Sequence, residues 1–386
     1  MSKNRIILIR NAKSYDFGGG ERFPVFLADI LRRNNYDPLL ISRSPKLLAF
    51  AKDHSLNTIR GIWWSHQNWS GKNALLFPIY LVWQIILFIW YVAVFIHHNP
   101  SAIHIQSKDD FIAATFAGRL LGKRVIWTDH ADLKHVWKNI RVWYKNPIGK
   151  LVYISAQFAH TITVVSKSEQ RLVSDNLPTP SKVLRKIVVV YNGVSDVAAD
   201  YPSPESTDEN SITFTVASRL VSDKGIAEVI DAFTKLSKHQ PKLKLNLLGD
   251  GPESSKFKQQ ANNHPKINFL GYQKNPLFHL STSDIFVHPT YHEGFSVALV
   301  EASMLSLPII ATSVGGNVEI IKEGITGLLV PAKDTDALYD AMKRLADDPA
   351  LRKSLGLATR NQYEERFNFD AIVTQEFIPL YKGEIA

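Results

Sequence analysis

Two carboxylates, Glu293 and Glu301, stand eight positions apart in His292-Glu-Gly-Phe-Ser-Val-Ala-Leu-Val-Glu301-Ala302, a stretch that reads as a loop running into a helix. Gly294 lets the backbone approach a ligand closely, and Ser296 is suited to cap a helix that begins at Val297 and runs to Met304. The free amides at such a helix start suit an anionic or hydroxylated ligand. Glu301, one turn on, can accept from two neighbouring ribose hydroxyls, while Glu293 in the loop faces the sugar end of the same ligand. The chemistry suggested is binding of a sugar nucleotide. Any amphipathic surface helix can supply two glutamates at this spacing, so the reading needs support from other segments.

Support comes from Ser218-Arg-Leu-Val-Ser-Asp-Lys-Gly225, which follows the strand-like Ile212-Thr-Phe-Thr-Val-Ala217. In an open α/β sheet, ligands bind beyond the carboxyl ends of the strands, where Arg219 and Lys224 can clamp a diphosphate. The plainer alternative is a solvated basic loop. Further on, Leu243-Lys-Leu-Asn-Leu-Leu248 enters Gly249-Asp-Gly-Pro252, a tight turn where a nucleotide base can lie against backbone.

These residues bring the chain close to a known group: it resembles the retaining glycosyltransferases of family four. The resemblance spans nearly the whole chain. It is carried by Gly18-Gly-Gly-Glu-Arg22, Thr128-Asp-His130, Val164-Val-Ser166, Tyr191-Asn-Gly-Val194, the Arg219 and Lys224 pair, and the two glutamates. It implies an α/β GT-B fold, two Rossmann-like domains facing each other across a cleft. It also implies roles for matching residues. Arg219 and Lys224 would hold the donor diphosphate, Glu301 the ribose, and Glu293 would face the donor sugar. His130 would sit at the reaction centre, and Gly19 and Gly20 in the loop over the phosphates. Gly249, Gly294, Phe295, Ser296 and Val297 complete the donor side. Tyr15, Asp16, Asp132, Lys134 and His135 are weaker acceptor-side candidates. Where many relatives have proline or glycine after Glu-Gly-Phe, this chain has Ser296, Val297 and Ala298, which alters only the local amide geometry.

Composition agrees with two globular domains: 386 residues, 45% hydrophobic and 21% charged. Strand-like runs near Arg5–Arg10, Pro38–Ile41, Thr58–Trp63, Ala102–Gln106, Arg124–Thr128, Thr161–Val165 and Ile187–Tyr191 alternate with helical stretches and predict one Rossmann-like half over 1–194. The polar 195–210 segment reads as a hinge. A second half over 211–370 has strands near Ile212–Ala217, Lys244–Leu248, Ile267–Leu270, Ile285–His288, Ile309–Ala311 and Gly327–Val330. In the family the end of the chain, here 371–386, packs back on the first domain. With no cysteine there is no disulfide, thiolate site or thiol nucleophile, which fits a reducing compartment. The apolar Ile6–Ile9 is too short for a signal-peptide core. The formal charge of +9 predicts an anionic partner, and without a nucleic-acid motif the membrane surface is preferred.

Ala74–Ile96 runs for twenty-three residues without a charge, broken by Pro78 and Gln84. By length it can span a bilayer. Spanning would put the glycine loop and His130 on opposite sides of the membrane, although the fold needs both on one side. Two readings remain: a helix buried in the first domain, or one in the membrane interface with Trp83, Phe88, Trp90 and Tyr91 among the lipids. Trp63, Trp64, Trp69, Trp137 and Trp143, interleaved with Lys72, Lys134, Lys138, Arg141 and Lys145, favour the interface. The expected setting is cytoplasmic, peripheral at the inner face of the cytoplasmic membrane, with a glycan or lipid-linked acceptor of cell-envelope synthesis.

The reaction so implied is departure of a nucleoside diphosphate, UDP or GDP, from an anomeric carbon. Fixed cations and helix-end amides would stabilise the leaving group, with no metal and no cofactor beyond the sugar nucleotide itself. No Asp-x-Asp motif is present, and Asp109-Asp110 reads as a solvated turn. Glu293 as a nucleophile would give double displacement, but the family resemblance favours front-side substitution. His130 would hydrogen-bond the sugar or polarise the acceptor, against the plainer reading of a core histidine. Two alternatives stay open: a sugar-nucleotide epimerase or hydrolase on the same fold, and a catalytically silent membrane-associated binding protein.

Overall fold

The computed structural model describes residues 4–11, 19–62, 77–130, 133–140, 146–202, 211–240 and 242–385. The chain divides into two compact units, Met1–Tyr191 with Asp370–Ala386, and Asn192–Phe369. Their charges differ. The first carries 27 Lys and Arg against 14 Asp and Glu, the second 18 against 22, so the formal +9 divides into +13 and −4.

The first unit is a seven-stranded sheet in the order β3-β2-β1-β4-β5-β6-β7. Its strands are β1 (Asn4–Ile9), β2 (Tyr36–Ser42), β3 (Asn57–Arg60), β4 (Ala102–Ile105), β5 (Arg124–Asp129), β6 (Thr161–Val164) and β7 (Ile187–Val189). All neighbours are parallel, with Ile6 to Ile9 opposite Ala102 to Ile105. Helices on both faces explain the near-continuous apolar runs: Ile6 to Ile9 are fully buried. The second unit holds six parallel strands in the order β10-β9-β8-β11-β12-β13. These are β8 (Ile212–Ala217), β9 (Leu243–Leu248), β10 (Ile267–Gly271), β11 (Ile285–His288), β12 (Ile309–Thr312) and β13 (Leu328–Val330). In both sheets the order reverses beside the first strand, between β1 and β4 and between β8 and β11, and such a switch point opens a crevice at the carboxyl ends.

The segment read as a hinge is pinned to the second unit at its start. Val194 exchanges backbone hydrogen bonds with Phe367 (3.2 Å) and Phe369 (3.0 Å), and Asp196 pairs with Arg360. Residues 203–210 lie outside the described residues. The chain end returns to the first unit through a helical run over 369–382 that contains a π-helical stretch, Val373–Phe377. There His104 Nδ1 lies 2.7 Å from the Tyr381 hydroxyl and Nε2 2.6 Å from Thr128 Oγ1.

The uncharged run forms a helix, Phe77–His98. One face, with Tyr80, Leu87, Tyr91 and Phe95, is part of the first unit's core. The opposite face is exposed and aliphatic: Ile79, Leu81, Val82, Ile85, Ile86, Ile89 and Ile96. The helix is therefore largely inside out, since Tyr80, Gln84 and Tyr91 point inward beside Leu87 and Phe95 while most of its aliphatics point outward. This corrects the expectation that Tyr91 faces lipid. Tyr91 is buried and donates to Asp110 Oδ1 (2.7 Å), while Trp83, Phe88 and Trp90 are partly buried against the core. Trp137 is likewise fully buried in the core. Asp110, expected to be solvated, is buried too. Besides Tyr91 it accepts from Asn11 Nδ2 (2.7 Å) and from the Ser107 hydroxyl, hydrogen bonds that compensate its loss of water. Trp63, Trp64, Trp69, Trp143, Lys72, Arg141 and Lys145 lie outside the described residues.

Burial pushes His104 down to about 3, so it folds neutral. The unfolded chain binds a proton there below the ordinary histidine pKa of about 6.5 and the folded chain does not, so stability is retained above that value and lost as pH falls toward 3. Replacing His104 with Gln should flatten the pH dependence of denaturant-unfolding free energy between those limits; an unchanged slope would show that the histidine is not what senses the acid.

Candidate active site

In the second unit the carboxyl ends of β8 and β11 meet at the switch point. After β8 the chain passes through exposed Arg219 and a short 3-10 turn, Ser222–Lys224. Gly225 then starts the Ile226–Ser237 helix at φ 67°, and a Cβ there would come within 2.1 Å of Pro289 O. This close approach lets the two loops share hydrogen bonds. The Tyr291 amide donates to Asp223 O at 2.8 Å, and Lys224 Nζ reaches Thr290 Oγ1 at 3.3 Å and Glu293 Oε2 at 3.2 Å. His288 Nε2 lies 3.4 Å from the same oxygen. For Glu293, burial alone would raise the pKa. The His288 hydrogen bond and the Lys224 charge outweigh that and hold the carboxyl down at about 2, so Glu293 is ionised at neutral pH.

Ser296 caps the Val297–Met304 helix by accepting from the Leu299 amide at 3.3 Å, the junction expected from the sequence. Glu301 is half-buried on that helix. Phe295 is buried edge-on against Phe367 at 5.7 Å, so it braces the loop from below. Gly249, at φ 125°, lies so close to Ser218 that a Cβ would fall within 1.9 Å of its carbonyl oxygen. The turn after β9 is thereby locked to the loop after β8, and Leu220 N donates to Asp250 O at 3.0 Å.

Sequence reading missed His288, Thr290 and the Gly315-Gly316 pair. The pair packs under the loop: a Cβ on Gly315, which has φ 49°, would meet Glu293 O at 1.8 Å, and the Gly316 amide donates to that oxygen at 3.1 Å. Adjacent glycines after an apolar strand were the available signal. His288 gave none, being one histidine among thirteen.

In the first unit, Gly19 and Gly20 open the Gly19–Arg33 helix, and His130 directly follows β5. Phe23 of that helix packs edge-on against His130 at 5.1 Å. Burial first, with Arg10 and His104 adding to it, lowers the His130 pKa well below the usual value, so its imidazole is neutral. Both its ring nitrogens are buried without a hydrogen-bond partner among the described residues. Lys134 pairs with buried Glu169 at 3.2 Å and His135 is exposed. Tyr15, Asp16 and Asp132 lie outside the described residues.

Two parallel α/β sheets, one per unit, define the GT-B class of two Rossmann-like domains. HepE from Anabaena, solved in complex with UDP, has the same fold at a TM-score of 0.77 and 17% identity, over 98% of this chain and 100% of that one. The family described as Glycosyltransferase Family 4 matches residues 17–197, and that described as Glycosyl transferases group 1 matches residues 199–362. The chain belongs to these family-four glycosyltransferases, enzymes that transfer a sugar from a nucleotide sugar. Among relatives, N-acetyl-alpha-D-glucosaminyl L-malate synthase of Bacillus anthracis is 29% identical over 72% of this chain and 73% of its own length. The capsular polysaccharide biosynthesis glycosyltransferase CapM of Staphylococcus aureus is 28% identical over 42% of this chain, which covers 44% of CapM.

Gly315→Ala should destabilise the protein by about 1–3 kcal/mol, the usual scale for forcing a side chain into a strained backbone position. Chemical denaturation reads this directly, and a value near zero would mean that the Glu293 loop is not held by the close approach.

Proposed function

We propose that this glycosyltransferase works with retention, moving a sugar from a UDP- or GDP-linked donor to a lipid-linked acceptor at an anionic membrane surface, in cell-envelope glycan synthesis. The observation that carries the donor assignment is the Lys224, Glu293 and His288 cluster at the β8–β11 switch point. Arg219 and Lys224 would hold the diphosphate, and a positioned cation there is of most use as the glycosidic bond breaks and charge gathers on the leaving phosphate. Glu301 would take the ribose hydroxyls. Glu293 is an ionised carboxylate tied through Oε2 to two partners, which suits it to stabilise positive character at the anomeric carbon rather than to attack it. Front-side substitution then has the departing diphosphate assist deprotonation of the acceptor. His130, neutral and with both nitrogens unpaired among the described residues, would bond a sugar hydroxyl. A UDP donor is favoured by the complex of HepE with UDP. No step in this scheme calls on a metal.

Membrane association is supported by the inside-out Phe77–His98 helix, about 33 Å long at 1.5 Å per residue. Its outer face carries aliphatics and no Asp, Glu, Lys or Arg, and it belongs to the unit with the positive charge excess. Aliphatics entering the acyl boundary while cations meet anionic headgroups would hold the unit at the surface, peripheral on the cytoplasmic side.

Thermal melts with UDP, GDP, ADP and their sugar conjugates should show a selective rise for one nucleotide, lost in Glu301→Ala. A rise that survives in the variant would remove Glu301 from the ribose site. Flotation on phosphatidylglycerol-containing liposomes should carry the wild type upward and leave an Ile85→Asp/Ile89→Asp variant soluble, with both proteins melting alike because these sites are exposed. Wild-type protein remaining wholly soluble would end the membrane assignment.

A further inference from the structure

At the other switch point, beyond β1, β4 and β5, three polar side chains hold buried atoms with no hydrogen-bond partner among the described residues. Gln106, 2% exposed, leaves both its amide oxygen and nitrogen unpartnered. Arg10, 8% exposed, leaves Nε unpartnered, and His130 leaves both ring nitrogens. The positions follow from the sheet. Arg10 follows β1, Gln106 follows β4 and His130 follows β5, with the β4 residue Ile105 opposite Trp127 in the register. Backbone bonds fix two of them, Gln106 N to Ile9 O at 2.8 Å and Arg10 N to Ile41 O at 3.1 Å. Arg10 also donates to Gln106 O through Nη1 and to Glu21 Oε1 at 3.2 Å through Nη2.

A buried amide that makes no hydrogen bond lowers stability, whereas an apolar side chain of the same size carries no such penalty. Gln106 is thus a poor structural residue, placed where α/β sheets bind ligands. The unpartnered atoms are chemically mixed. The amide offers one acceptor and two donors, the imidazole one of each when neutral, and Arg10 one donor. Glu21 already meets the Arg10 charge, so the cluster does not select an anion. A pair of neighbouring hydroxyls, each donating and accepting, matches it.

We infer that Gln106, together with Arg10 Nε and His130, forms a subsite for vicinal hydroxyls of a saccharide and that Gln106 sets specificity among sugars. This deepens, and rests on, the glycosyl-transfer reading above. The hydroxyls come either from the transferred sugar or from the acceptor.

The test uses the full chain carrying Gln106→Leu, with Gln106→Asn as a polar companion. Without ligand, the Leu variant should melt no lower than wild type, and higher if the amide is unsatisfied in solution; a melting temperature several degrees lower would show that Gln106 is a structural hydrogen-bonder and overturn the inference. Calorimetric titrations then compare UDP, GDP and ADP with UDP-glucose, UDP-galactose, GDP-mannose and ADP-glucose. Binding of the bare nucleotide should be unchanged. If the subsite reads the donor, the affinity advantage of the sugar nucleotide should fall about tenfold in Gln106→Leu, the scale of one or two lost hydrogen bonds, and partly return in Gln106→Asn. If it reads the acceptor, donor binding should hold and KM for octyl glucoside and octyl galactoside should rise by about the same factor with kcat kept. Absence of both changes would overturn the subsite. Wild-type protein that binds no nucleotide at all would instead overturn the donor assignment in the second unit.

Discussion

Reversal of strand order next to the first strand of each sheet is the constraint from which the chemistry follows. Between β8 and β11 the connections leave in opposite directions, so the loops beyond them part and expose backbone and side chains at the strand ends. What then holds the parted loops in register is one charge network. Lys224 from the β8 side and His288 from β11 meet on a single oxygen of Glu293. Glycines at 225, 249 and 315 bring the supporting chain segments closer than any side chain would allow. Polar groups held in this way need no rearrangement when charge develops nearby, which is how an enzyme gains rate from electrostatics.

The first unit applies the same geometry to different chemistry. Its switch point carries neutral hydrogen-bonding groups and an arginine balanced by Glu21, whereas the second unit presents Lys224 and exposed Arg219. Next to it, Asp110 accepts from Asn11 after β1, from Ser107 after β4 and from Tyr91 of the inside-out helix. A single buried carboxylate thus ties the unusual helix to the strand ends, so the helix is positioned by polar bonds inward as well as by apolar packing.

Much of this is legible in the sequence because most of these parallel strands are buried on both faces and form apolar runs, and a strand is read near each of the thirteen; β3, Asn57–Arg60, is the exposed exception. The capping serine at 296 was legible for a local reason, a short polar side chain directly before a helical stretch. Partners distant in sequence were not. Nothing local to Glu293 or to Asp110 reveals that Lys224 will reach the one, 69 residues away, or that Asn11 and Tyr91 will donate to the other, so a solvated turn is the natural reading of Asp110 in the sequence. The uncharged helix was ambiguous for a similar reason: its hydrophobicity is nearly uniform around the circumference, so periodicity could not say which face turned inward. Its few polar residues decided this once Tyr91 had Asp110 to bond.

The return of residues 370–386 to the first unit makes the second unit, in the path of the chain, an insertion within the first. The hydrogen bond between His104 and Tyr381 joins residues 277 positions apart. During synthesis the first sheet can therefore assemble early, but its buried His104 has to wait until Tyr381 has been made before its hydroxyl partner exists. Until then that sheet has one open seam, and the second unit, whose strands and helices are contiguous, can finish folding before the unit that precedes it.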